Sequence, residues 1–133
     1  SIGVYSVSTP EEACERCAYL FNQKIDQDAL LEVFCEGIEF TVLLLENSQR
    51  EPVALIPTEI EMCYSQNQIF DYRRKYLPTN QAIYHTPPRF ERGVVDQIRQ
   101  QAELIFKIFK MRDFVRLDGW VLKDGSICFT DIN

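Results

Sequence analysis

Two stretches near the end of the chain carry residue types that do chemistry: Arg116-Leu117-Asp118 and Asp131-Ile132-Asn133. Between them, Asp124-Gly125 is a strong signal for a tight hairpin. A two-residue loop there pairs Lys123 with Ser126. Counting back sets Trp120 opposite Phe129, Asp118 opposite Asp131 and Arg116 opposite Asn133. Side chains alternate along a strand, so these residues share one face. Val115, Leu117, Val121, Cys128 and Ile132 take the other face as candidate core. Two carboxylates directly opposite each other repel. A divalent cation reverses that sign, and two aspartates with an asparagine carbonyl are the hard oxygen donors that suit magnesium or manganese. Arg116 adds a planar fork for a phosphate or a developing oxyanion. The same spacing also fits a solvent-facing surface on which Arg116 neutralises the acids, and spacing alone leaves both readings open.

Other features point the same way with less force. Glu32 and Glu39 interrupt apolar strand-like stretches, where a carboxylate can accept from a ribose hydroxyl and neighbouring backbone can read adenine. Solvent-facing glutamates on an edge strand give the same pattern. Arg73, Arg74 and Lys75 form the one local basic cluster, either a solvated turn or a phosphate contact. His85, the single histidine, reads as a loop-packing residue.

The elements that must position these groups follow from periodicity. Thr9-Pro10-Glu11-Glu12 opens a helix with a capping threonine, a proline at the first position and a capping-box glutamate. Ala13, Cys17, Leu20 and Phe21 give its apolar face. Ala29–Phe34 reads as a short buried strand and Ile38–Leu45 as a second, with Ile38, Phe40, Val42 and Leu44 on one face and Glu39, Thr41, Leu43 and Leu45 on the other. Val53–Met62 reads as a strand weakened at Pro57. Tyr64–Pro88 lacks periodicity and reads as a long loop. Arg92–Lys110 is an amphipathic helix with Val94, Ile98, Ala102, Ile105 and Phe109 as its stripe. The fold class is α+β: a mainly antiparallel sheet with two amphipathic helices on one face.

Bulk properties narrow the function. A chain of 133 residues suits one domain. The net charge of -6 disfavours a nucleic-acid surface, and no apolar run approaches the ~20 residues of a membrane helix. Cys14 and Cys17 form a lone CxxC without the second pair a zinc site needs, so both read as small core residues. An odd cysteine count of five and no signal-like segment favour a reducing compartment such as the cytoplasm. Ser1 is not a natural start, which leaves an upstream leader or domain open.

Taken in order, the segments resemble the D-alanine–D-alanine ligase family of the ATP-grasp superfamily. Leu31 to Val42, with its Gly-x-Glu-Phe-Thr-Val ending, resembles the adenine-hinge segment. Asp71-Tyr72-Arg73-Arg74-Lys75-Tyr76 resembles the Asp-Tyr-x-x-Lys-Tyr loop. Arg112 to Asp118 resembles the strand bearing an arginine and a metal-binding aspartate, and Asp131-Ile132-Asn133 resembles the Glu-x-Asn metal motif. Ser1-Ile2-Gly3-Val4 resembles the tail of the phosphate loop. The extended forms Phe70–Thr79 and Tyr84–Phe90 are similar to the plant and cyanobacterial branch, which implies a plastid as the alternative compartment if the protein is from a plant.

The resemblance implies an ATP- and magnesium-dependent ligase that makes D-alanyl-D-alanine through an acyl phosphate. It implies adenine binding by Glu32 and the backbone of Phe34 and Cys35, and ribose binding by Glu39. Lys75 would touch phosphate and Tyr76 latch the loop. Asp118, Asp131 and Asn133 would hold magnesium (or manganese), and Arg116 would stabilise developing charge. The partners implied are D-alanine and ATP, with a homodimeric parent and a role in cell-wall synthesis. Asp131 departs from the family's glutamate by one methylene. The lysine-bearing strand, the domain for the first D-alanine and the acceptor loop have no counterpart here. Residues 1–133 therefore read as part of an ATP-grasp domain, a fragment inactive by itself. Another ATP-grasp carboxylate–amine ligase is the enzyme alternative, and a non-catalytic nucleotide-binding module is the alternative of a different class.

Overall fold

The computed structural model describes residues 3–62 and 82–133. They belong to two compact units, residues 3–34 and residues 35–62 with 82–133, each described by itself.

In the first unit, Thr9 caps helix α1 (Pro10–Asn22). Its Oγ1 accepts from Glu12 N at 3.2 Å, while Glu12 Oε2 accepts from Ser8 N at 2.7 Å. This reciprocal pair satisfies backbone donors that a helix start leaves open. Leu20 is the buried residue of α1. Cys14 is exposed and Cys17 half-buried, so neither is the core residue the sequence predicts. A helix that turns so little of itself inward does not enclose small side chains on its flanks. Residues 29–34 are not a buried strand either: Leu30, Leu31, Val33 and Phe34 are exposed. An apolar run becomes a strand only where a ladder receives it, and the ladder on this side begins at Gly37, opposite Leu122.

The second unit contains β1 (Gly37–Glu46), β2 (Pro52–Ala54), β3 (Thr58–Met62), β4 (Ala82–His85), α2 (Arg92–Ile108), β5 (Phe114–Leu122) and β6 (Ile127–Ile132). The strands pair antiparallel in the order β4-β3-β1-β5-β6, with β2 also on β1. This is the mainly antiparallel α+β architecture the patterning predicts, with α2 packed on the sheet and α1 in the other unit. The single strand expected over Val53–Met62 is two, and the break holds the buried Pro57, which cannot donate to a ladder. β4 lies inside the stretch read as a loop. Its four residues are too short to show a period.

Alternation along β1 and β5 sets the two sheet faces. Phe40, Val42, Leu44, Val115 and Leu117 face α2 and pack with its Ile98, Ala102 and Phe106. The expected stripe ended on Phe109, yet Phe109 is 63% exposed and Phe106 only 3%. α2 stops at Ile108, so Phe109 falls past the last turn. Polar groups also hold the helix: Ala54 N donates to Glu103 Oε1 and Arg99 Nε donates to Ala54 O, both at 3.0 Å. The other face, away from α2, carries the candidate chemistry.

Candidate metal and nucleotide site

The β5–β6 hairpin brings the two motifs together by a different route from the simple count. Leu122 N donates to Ser126 O at 2.8 Å and Gly125 N to Leu122 O at 2.9 Å, so the loop has an extra residue, with Gly125 at φ +83°. That is the three-residue hairpin with a left-handed glycine. It shifts the register by one, pairing Trp120 with Cys128 and Gly119 with Phe129. A bulge then shifts it back: Asp118 pairs with Asp131, leaving Thr130 as the extra residue. Phe129 therefore faces the core, edge-on to Phe40 at 5.4 Å, not the site as the count predicts. Cys128, expected in the core, sits opposite Trp120. Asp118 still faces Asp131, and Arg116 exchanges two 2.9 Å backbone bonds with Asn133.

Asp118 is the centre of the cluster and only 5% exposed. Its Oδ1 accepts from Thr41 Oγ1 at 2.7 Å. Its Oδ2 accepts from Arg116 Nη2 and from Asn133 Nδ2, both at 3.2 Å. Arg116 Nε also lies 3.2 Å from Oδ1. The arginine is thus the counter-ion of the buried carboxylate, as the plainer sequence reading has it, and stands beside the residues of the other reading as well. β1 supplies the rest of this face. Glu39, 8% exposed, pairs with Trp120, Thr41 pairs with Asp118, and Leu43 pairs with Arg116.

The remaining predicted positions are distributed more widely. Cys35 is half-buried in the sheet unit, whereas Glu32 and Phe34 are exposed in the other unit. Lys75, Tyr76 and the basic cluster with Arg73 and Arg74 lie outside the described residues. His85 is in β4, with Nε2 at 2.8 Å from Glu61 Oε2. Thr41 is a participant whose face the alternation of β1 predicts but whose role it does not. The signal was present in the alternation, since Glu39 and Thr41 had to share a face.

The donor set fits a hard divalent cation. Among the described residues no group of three His, Cys, Asp or Glu side chains is placed to hold a metal; the set here is two aspartates and an amide. Asn133 now offers its Nδ2 to Asp118, and a half-turn of the amide presents Oδ1 in its place. Asp131 is exposed, and the Asp118 carboxylate accepts from Thr41, Arg116 and Asn133. Oxygen ligands of this kind suit magnesium.

The family model described as D-ala D-ala ligase C-terminus matches residues 1–133. A D-alanine–D-alanine ligase of Oceanobacillus iheyensis is 28% identical over 135 residues, covering 100% of this chain and 34% of that protein. Among solved structures, the VanG D-Ala:D-Ser ligase of Enterococcus faecalis superposes with a TM-score of 0.74 at 20% identity, over 100% of this chain and 36% of that one. The D-alanine–D-alanine ligase of Bacillus anthracis complexed with ATP gives 0.66 at 15% identity, over 96% and 36%. The chain spans about a third of the length of the relatives it matches. With a family match over every residue and a shared fold beneath it, this chain belongs to the D-ala D-ala ligase C-terminus family.

Proposed function

We propose that the chain is the nucleotide- and metal-binding part of an ATP-dependent ligase that joins two molecules of D-alanine. One observation carries the reading: Glu39, Thr41, Arg116, Asp118, Asp131 and Asn133 occupy one face of the sheet, in a chain matched throughout by the ligase family. In the reaction, a D-alanine carboxylate oxygen bonds to the γ-phosphorus of ATP and ADP leaves. The amine of a second D-alanine then attacks the acyl carbon, loses its proton, and inorganic phosphate departs.

The residues take roles by their chemistry. Arg116 faces the charge that develops on phosphoryl and acyl oxygens. Asp118, Asp131 and Asn133 would hold magnesium, which when bound neutralises phosphate oxygens. Glu39 accepts from a ribose hydroxyl. Glu32 and the backbone of Phe34 and Cys35 bind adenine, Lys75 contacts phosphate, and Tyr76 latches its loop. The shorter Asp131 holds metal with less reach than a glutamate.

The acceptor is the least constrained partner, because a relative of the same fold is a D-Ala:D-Ser ligase. A cytoplasmic, homodimeric parent working on small substrates is what the family resemblance implies. No helix among the described residues is long and apolar enough to cross a membrane. The test is ADP release and dipeptide formation by the protein containing this chain, given ATP, magnesium and D-alanine or D-serine. D-alanyl-D-alanine made by the wild type and lost in Asp118→Asn supports the reading. D-alanyl-D-serine as the sole product would change the acceptor. ADP release with neither amino acid would overturn the ligase assignment.

A further inference from the structure

Thr41 belongs to no role assigned above, yet its 2.7 Å hydrogen bond to Asp118 is shorter than the 3.2 Å bonds from Arg116 and Asn133. We infer that Thr41 is a positioning residue, whose hydroxyl sets the orientation in which Asp118 presents its carboxylate to a divalent cation. This rests on the metal-binding reading of the site.

A carboxylate turns about its last bond and can offer either oxygen. Thr41, Arg116 and Asn133, the described donors around Asp118, differ in what they can do when a cation arrives. Arg116 is a long, charged side chain, 42% exposed, and is repelled by an incoming cation. Asn133 holds Asp118 through its Nδ2, and must turn that amide over to become a ligand itself. Thr41 is neutral, short and stiff at its first side-chain torsion. It sits in β1, with its Cα registered on Asp118 inside a ladder that runs from Gly37 to Leu45. Of these three described donors, it is the one that can keep its 2.7 Å bond to Oδ1 while the donors on Oδ2 exchange for metal. A partner outside the metal's own ligands that orients a ligand typically accounts for about 10- to 100-fold in affinity.

The experiment uses manganese as the probe, with the protein titrated in the presence of a non-hydrolysable ATP analogue. Affinity is read by calorimetry and the bound ion by its electron paramagnetic resonance spectrum. Thr41→Val removes the hydroxyl and keeps the branched shape. Thr41→Ser restores the hydroxyl. Thr41→Ala replaces the valine variant should that one not fold. The expected result is about 10- to 100-fold weaker manganese binding and an altered spectrum in the valine variant, with serine within about threefold of wild type. A merely structural role predicts a lower Tm with unchanged affinity and spectrum. That outcome, or serine behaving like valine, would overturn the inference and leave the metal site standing. Equal manganese binding by wild type and Asp118→Asn, or none by wild type, would overturn the metal site and the inference with it.

Discussion

Glu59 and Arg89 form a closed ion pair on the helix side of the sheet. Glu59 Oε2 accepts from Arg89 N at 2.8 Å, and Oε1 accepts from the guanidinium through Nε at 2.9 Å and through Nη2. Glu59 is 1% exposed and lies opposite Phe40, beside the core. Arg89 also reaches Glu61 Oε2 at 2.9 Å, and the same oxygen meets His85 Nε2. The cluster ties β3 to β4 and to the turn that leads into α2.

Removing the arginine strands a buried charge. Arg89→Met is expected to lower stability, though by less than breaking a fully buried pair, because the Arg89 side chain is itself 54% exposed. Urea unfolding of wild type and variant measures it. A change below about 0.5 kcal/mol would mean that Glu59 finds another partner or water.

Acid should weaken the protein through the same cluster. Burial alone would raise the Glu59 carboxyl, but the hydrogen bonds and charge of Arg89 outweigh it and hold it below its ordinary value of 4.5. Glu61 is held low first by its bond to His85, and Glu46 by the backbone N–H of Asp113. A carboxyl depressed in the folded state contributes stability above its unfolded value and loses it as pH falls through the folded one. Tm should therefore hold level above about pH 5 and fall below ~4.5. In Arg89→Met the acid-side slope should be shallower, and an unchanged slope would assign the acid sensitivity to other carboxyls.

The hairpin bulge depends on a missing side chain. A Cβ at Gly119 would lie 2.5 Å from Cys128 O and 2.7 Å from Phe40 Cζ. Gly119→Ala must push β6 away or displace the core ring, at a cost of about 1–3 kcal/mol. Because Asp118 and Asp131 flank the distortion, metal affinity should fall together with Tm. An alanine variant with wild-type Tm would show that the strands part freely there.

The helix stripe can be tested with one pair of phenylalanines. Phe106→Ala should cost about 3–5 kcal/mol and Phe109→Ala under ~1. Denaturant midpoints distinguish them, and equal losses would place Phe109 in the core after all.

Much of this chain is written in its local sequence. The threonine cap of α1, the apolar face of β1 and the joining of Arg116-x-Asp118 to Asp131-x-Asn133 follow from spacing, because the physics is short-ranged: side-chain period, turn chemistry and capping. Tertiary structure decided the rest. The site pairing came out as counted only because two departures cancel. An added loop residue at Lys123–Gly125 shifts the ladder, and the bulge at Thr130 shifts it back. No local pattern announces that bulge, since it follows from the space left by Gly119 under Phe40. Whether Leu30–Phe34 formed a strand depended on a ladder that starts only at Gly37. Whether Asp118 was held by Thr41 depended on the pairing of β1 with β5, residues 77 apart in the chain. Contacts of that range are chosen by packing against α2, and the sequence lists their participants without naming their partners.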